Sequence, residues 1–488
     1  MVQQLGQFLN PQAGSIEEYQ KFLSEVLQAE YDSNSDPTVV YPILQRGQHL
    51  LDDIFAQLLQ QWARNVFSQR KPEEVAGIVG VIQNLCVDIQ NFPLGSRANN
   101  LEIAITGYQT VLEVRTRDAF PYEWASVQNN LGNAYNKRIR GERAENLELA
   151  IVAYNQSLEV YTRDAFPYEW ARTQNNLGAA YSQRIREERA ENLELAIVAY
   201  NLSLEVHTRD AFPEQWAVTQ NNLGTAYINR IQGDIVENIE TAIFCYQEAL
   251  KIRTFDAFPL DWATTQNNLG NAYSERIRGN KAENIENAIV CYQEALQIYT
   301  RQAFPRDWAE TQYNLANTLR ERFKLLGKVA DIQQAINSYK QAGEIIEKTE
   351  DKTLYFNYSY QLGKALFEGG YYTEAIEHLE NCQQLYQKQK DISSLAPILL
   401  ELARLYHRTG RLEQARLYFK DSLRLFRRLG DQDNVASVTT ALGNLEIQIG
   451  KISQACSHLK EAQTYYQENN DKERLEEINH LLKILQSA

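Results

Sequence analysis

The sequence has no run of about 18 apolar residues, the length a helix needs to cross a bilayer, so no membrane span is expected. Residues Met1 to Asn10 lack a basic start followed by an apolar core, and no secretory signal is read there. Cysteine is sparse and odd in number: Cys86, Cys245, Cys291, Cys382 and Cys456, with no Cys-x-x-Cys pair. That pattern argues against a disulfide framework or a metal site and fits a reducing cytoplasm. Cys245 and Cys291 occupy a repeat position where Ala153 and Ala199 stand in earlier copies, so they read as small core residues. Positive charge is also in deficit. With 63 acidic against 49 basic residues, the net charge is −14. This argues against nucleic acid, whose binding needs a basic footprint, and favours neutral or basic partners.

The residues that carry chemistry are missing as constellations. The six histidines, His49, His207, His378, His407, His458 and His480, each occur once, outside the repeated phrase described below. There is no His-Glu-x-x-His, glycine-rich phosphate loop or Gly-x-Ser-x-Gly elbow. No alternating pattern exists to build a Rossmann or caspase-like sheet. Cys382 with His378 is the nearest approach to a nucleophile–base pair, and both lie on an ordinary repeat helix. The chain is therefore expected to be no enzyme, with no catalytic residue, no metal ligand and no cofactor.

What is present is one phrase spoken five times, first as Phe120-Pro-Tyr-Glu-Trp-Ala-Ser-Val-Gln-Asn-Asn-Leu-Gly-Asn-Ala-Tyr135. Trp124, Trp170, Trp216, Trp262 and Trp308 mark the copies, 46 residues apart without a gap. A fixed period of this size means stacked supersecondary units, because one unit cannot bury its apolar face alone. Such an array also explains a 488-residue chain without a composition break.

Each unit reads as two helices. Phe120-Pro121 opens helix A, since proline suits a first turn, and Trp124, Val127, Leu131, Ala134, Tyr135 and Arg138 make one face. Gly141 or its neighbours break it. Asn146 then caps helix B, whose buried stripe is Leu147, Ala150, Ile151, Tyr154, Leu158 and Tyr161. Stepping back one period, residues 78–123 form a worn first copy. Residues 1–77 read as an N-terminal helical cap, with a capping box at Ser15 and Glu18 opening a helix to about Gln28. A longer amphipathic segment follows over about Val39 to Phe67. The 46-residue units fill 78–354. The copy at 308–354 is transitional, with Ala316 in place of the glycine and its second helix shifted by one residue. Units of 40 residues fill 355–474, marked by Gly363, Ala403 and Gly443, each followed by a later glycine (Gly370, Gly410, Gly450). Residues 475–488 belong to a C-terminal capping helix that starts near Lys472. The total is nine helix pairs.

The pattern Leu-Gly-x-x-Tyr, a later glycine and then Ala-x-x-x-Tyr/Phe resembles the tetratricopeptide repeat, most cleanly at Leu402-Ala403, Tyr406, Gly410, Ala415 and Phe419. The resemblance covers residues 78–474. The departure is length, the usual unit being about 34 residues. The longer units with Asn-Asn-Leu-Gly look like kinesin-light-chain-type repeats. The Phe-Pro-x-x-Trp-Ala wording resembles multi-repeat arrays common in cyanobacteria, some of which precede a caspase-like CHAT protease domain; none is expected within these 488 residues. The resemblance implies an all-α fold: a right-handed α-solenoid, or superhelix, with helix A lining a concave, peptide-receiving groove.

Comparing the copies locates a candidate groove. At about 100° per residue, positions 126, 130, 133 and 137 form a second stripe on helix A. Its first position holds Ser126, Arg172, Val218, Thr264 and Glu310. Its third holds Asn133, Ala179, Thr225, Asn271 and Asn317, and its fourth Lys137, Gln183, Asn229, Glu275 and Glu321. The second never changes: Asn130, Asn176, Asn222, Asn268 and Asn314. An amide offers both a donor and an acceptor, so constant asparagine amid varied neighbours suits gripping a peptide backbone. The competing reading is a ladder that only ties A helices together; it is favoured for Asn129, Asn175, Asn221 and Asn267. The recurring Arg138, Arg184, Arg230, Arg276 and Arg322 are expected to pack on the core and pair with acidic neighbours. The function expected is a cytoplasmic scaffold that binds a peptide or partner protein. The alternatives are a regulatory or sensory subunit for a separate effector such as a protease, and self-association through end repeats.

Overall fold

The computed structural model describes residues 15–348 and 352–487; the segment Met1 to Asn10, read above for a targeting signal, lies outside them. Among the described residues there are 22 α-helices, one short 3-10 turn and no strand. They form an α-solenoid of nine helix pairs, and the chain divides into two compact units, residues 1–257 and 258–488.

The first unit opens with helices Ile16–Ser33, Pro37–Arg46 and Asp53–Gln69. Ser15 accepts a bond from the Glu18 amide as the first N-cap. That helix runs five residues past the expected end at Gln28. The segment read as one stretch from Val39 to Phe67 is two helices. Asp52, in an extended conformation, takes the Ile54 and Phe55 amides on its carboxylate and starts a new helix there. Four pairs follow: Pro72–Asn91 with Arg97–Leu112, Pro121–Lys137 with Arg143–Leu158, Pro167–Gln183 with Arg189–Leu204, and Pro213–Ile228 with Ile235–Leu250. Proline at the first turn starts each A helix.

Helix B begins at Arg143, three residues before the expected cap. Asn146 lies inside the first turn, buried, and its side-chain amide donates back to the Arg140 carbonyl at 2.8 Å. Asn192 and Asn238 repeat this bond to Arg186 and Gln232. Arg143 also reaches back to the Asn136 carbonyl, so the long interhelical loop is clasped from both sides. The extra loop residues of the 46-residue unit thus carry their own hydrogen-bond partners, as a buried backbone requires.

The second unit holds pairs Pro259–Glu275 with Lys281–Ile298, Pro305–Leu326 with Val329–Ile346, Lys352–Glu368 with Tyr372–Gln389, Ile392–Arg408 with Leu412–Leu429, and Gln432–Gln448 with Ile452–Glu468. Lys472–Ser487 packs on the last pair. In the 40-residue units the A helix ends in a left-handed glycine. Gly370 has φ +81, and the bonds Gly370 N–H to Phe367 and Tyr371 N–H to Leu366 close the helix before Tyr372 starts the next. This tight closure is why those units are shorter.

The contact that sets the A–B spacing is glycine against tyrosine. A Cβ on Gly132 would come within 2.6 Å of Tyr154, and one on Gly178, Gly224 or Gly270 within 2.7–2.8 Å of Tyr200, Tyr246 or Tyr292. Only glycine lets the ring lie flat on the A helix. In the 40-residue units Gly363 and Gly443 meet Leu379 and Leu459 in the same way.

Candidate binding surface

The core side of helix A is closed, with Leu131, Leu177, Leu223, Leu269 and Leu315 all buried. One third of a turn away, the varied stripe remains accessible. Asn130, Asn176, Asn222, Asn268 and Asn314 are each half-buried, while Lys137, Gln183, Asn229 and Glu275 are exposed. Asn133 and Asn271 are half-buried and Thr225 is exposed.

Within the first unit the adjacent asparagines are linked. Asn129 Oδ1 accepts from Asn176 Nδ2 at 3.2 Å and from Thr173 Oγ1 at 3.3 Å. Asn175 Oδ1 accepts from Asn222 Nδ2 at 3.2 Å. In the second unit Thr311 Oγ1 donates to Asn267 Oδ1 at 3.2 Å. The ladder expected of the Asn129 series therefore draws its donors partly from the Asn130 series. Asn176 spends one N–H on it, leaving a second N–H and the carbonyl oxygen for another partner.

The third stripe position has a task that the sequence did not reveal. The Tyr154 and Tyr292 hydroxyls donate to Asn133 and Asn271 Oδ1, both at 2.8 Å, and Thr225 Oγ1 lies 3.1 Å from the Tyr246 hydroxyl. Where Ala179 removes the partner, Ser182 lies 3.4 Å from the Tyr200 hydroxyl. These residues anchor the tyrosine that crosses the glycine. The sequence carried no clear signal for this, since Ser274 stands at the same offset from Asn271 as Ser182 does from Ala179.

Arg172 is half-buried beside Tyr122, Tyr161 and His207, on whose ionisation its charge acts, and its Nε is buried without a partner. Asn229 ends helix Pro213–Ile228 and donates to the Thr225 carbonyl at 2.8 Å.

The recurring arginines form forks between neighbouring units of the stack. Arg138 grips Glu102 with two bonds of 2.8 Å, Arg184 grips Glu148 at 2.8 and 2.7 Å, and Arg230 grips Glu194 at 2.7 and 2.8 Å. Arg322 bonds Glu286 and Asp331, both at 2.7 Å. The Arg184 fork pulls the Glu148 carboxyl below its ordinary range. These guanidinium groups are engaged by the protein itself.

Cys382 and His378 lie near each other, Sγ to Nε2 at 3.8 Å, and the same nitrogen is 3.0 Å from the Ser359 carbonyl. Burial pushes the thiol up to about 11 and the imidazole down. The pair is thus neutral thiol and neutral ring, opposite to an activated thiolate. Among the described residues no cluster of three or more acidic, histidine or cysteine side chains could hold a metal, and no helix is long and apolar enough to cross a membrane.

The architecture defines a class: an α-solenoid repeat protein with a polar stripe along its A helices. The tetratricopeptide-repeat family model matches residues 394–468, and the soluble NSF attachment protein model matches residues 260–390. Residues 394–468 are thus tetratricopeptide repeats, and the other helix pairs follow the same plan. No curated protein matches its sequence. Among solved structures it is similar to the apo form of RapI, at 16% identity, covering 63% of this chain and 98% of that one, with a TM-score of 0.42. It is also similar to a STAND protein with a tetratricopeptide-repeat sensor from Pyrococcus horikoshii (13% identity, 87% and 69% coverage, TM-score 0.45). A third is the apo form of the quorum sensor NprR from B. thuringiensis (17%, 84% and 99%, TM-score 0.40).

Proposed function

We propose that the chain is a non-catalytic interaction scaffold whose A-helix stripe receives an extended peptide segment or a partner protein in the cytoplasm. One observation supports this above the rest. In all five copies the same asparagine stays half-buried, while its neighbours change in size and charge and are half-buried or exposed. A constant amide beside varied side chains suits main-chain gripping with selection around it. Within each unit, stacked repeats present such positions side by side as an extended surface. The acidic balance of the chain favours a neutral or basic partner and not nucleic acid.

The test is capture from the native host with wild-type chain and an Arg172→Gln/Asn229→Ala variant as baits. A partner held by the wild type and lost by the variant at equal Tm supports the reading. A partner held equally by both, or lost only as the variant melts, counts against it. If the captured partner is an enzyme whose activity changes on binding, the narrower reading of a regulatory subunit gains support. Sedimentation of a monomer at high concentration would remove self-association through end repeats.

A further inference from the structure

At the start of the first unit, helix Ile16–Ser33 packs against Pro72–Asn91, the A helix of the first pair. The contact buries two carboxyl groups, Glu30 at 1% exposure and Asp88 at 7%. Both oxygens of Glu30 and Oδ2 of Asp88 lack a hydrogen bond of good geometry, and the Ser35 hydroxyl beside Glu30 offsets only part of the effect of burial. Each carboxyl acts on the ionisation of the groups around it, and no lysine or arginine is among those groups. They are Asp36 at the loop, Tyr41 on helix Pro37–Arg46, Cys86 beside Asp88, and Tyr108 on helix Arg97–Leu112. The charged side chains of helix Asp53–Gln69 are engaged elsewhere, Asp53 with Arg140 and Arg64 with Glu113.

Two buried carboxylates without a cation cannot both be ionised, whereas a proton between them turns repulsion into a short, charge-assisted hydrogen bond. We propose that Glu30 and Asp88 share a proton, and that this proton latches helix Ile16–Ser33 onto the first repeat pair, so that rising pH releases it. Burial, with Asp88 alongside, holds the Glu30 carboxyl up at about 8, and burial raises Asp88 as well. The sign follows from linkage. A carboxyl whose folded value lies above its unfolded one stabilises fully below the ordinary carboxylate range, and that contribution is lost as pH climbs through about 8. Release uncovers the apolar face formed by Tyr19, Phe22, Leu23 and Val26 and the end of the stack beneath it.

The experiment is hydrogen exchange on the full chain from about pH 5 to about pH 9, corrected for the intrinsic pH dependence of the chemistry. Between about pH 5 and about pH 8 the opening constant of residues 16–33 should rise about tenfold per pH unit, the slope for one proton, and it should level off above that. Residues 121–250 should keep their protection. Glu30→Gln, which keeps the donor without the charge, should flatten the response; if it does not fold, Asp88→Asn should do the same. Protection of 16–33 that is independent of pH, or a loss with rising pH that is unchanged in the neutral variant, overturns the proposal. So does a return of protection at pH 9 on adding millimolar Ca2+ or Mg2+, since a cation would then be the natural bridge.

Discussion

Tyr200 lies flat against the A helix at Gly178, and a Cβ built on that glycine would come within 2.8 Å of its ring. The tyrosine is buried, and that burial pushes its hydroxyl up to about 12. Gly178→Ala should therefore destabilise the first unit by about 1–3 kcal/mol through overpacking. The gain of about 1 kcal/mol that alanine brings to an exposed helix would offset only part of this. Urea unfolding is the measurement. Combining it with Tyr200→Leu, the arrangement of the 40-residue units, should recover part of the loss.

The fork from Arg184 to Glu148 crosses between repeats with both side chains about a fifth exposed. A double-mutant cycle with alanine at each position should return a coupling of about 1–2 kcal/mol, between the values of surface and buried pairs. Because the fork lowers the Glu148 carboxyl, its contribution should be present above the ordinary carboxylate range and fade as pH falls through the lower folded value. A cycle repeated at acid pH should show the coupling shrink.

His207 is buried where other copies place Tyr161 and Tyr299, and its Nε2 has no partner. Burial lowers it to about 4. A base depressed in the folded state loses stability as pH falls from its unfolded value, about 6.5, toward 4. Tm of the wild type should drop by several degrees over that window. His207→Tyr should flatten this acid limb, its hydroxyl reaching the Tyr168 carbonyl as the Tyr161 hydroxyl reaches Tyr122 at 3.1 Å.

The two asparagine positions should separate by stability. Asn222→Ala removes a donor to Asn175 and should cost about 1 kcal/mol. Asn229→Ala, exposed at a helix end, should stay within about 0.5 kcal/mol.

Four of the five thiols are buried and Cys456 is partly open. A thiol reagent should label one cysteine per folded chain, at Cys456, and the other four only after denaturation. Rapid labelling of Cys382 would contradict the raised thiol described above.

Period and local chemistry were enough to read the helix pairs, because each Phe-Pro start and each Gly–Tyr contact recurs within its own copy. The start of helix B was misplaced by a turn. Asparagine is a good cap by type, yet here its amide serves a carbonyl six residues back, inside a loop whose path only the fold supplies. The stripe was legible as a pattern, but not the tyrosine hydroxyls that occupy Asn133 and Asn271, since that bond joins two helices. Glu30 and Asp88 left a faint trace. Each sits at the spacing of buried neighbours, Val26 and Leu27 for one and Leu85 and Phe92 for the other, and their meeting required the packing of distant helices.

The clasp of Asn146 on Arg140 stays inside one copy, whereas the arginine forks and the asparagine links between copies join residues of fixed type at fixed offsets. Excising residues 170–215 would therefore bring Arg230 to Glu148 and Asn222 to Asn129, so the seam would be stitched by the same side chains as before. The first unit is built like a chain of interchangeable links, whose length can change by whole cassettes without any new joint having to be invented.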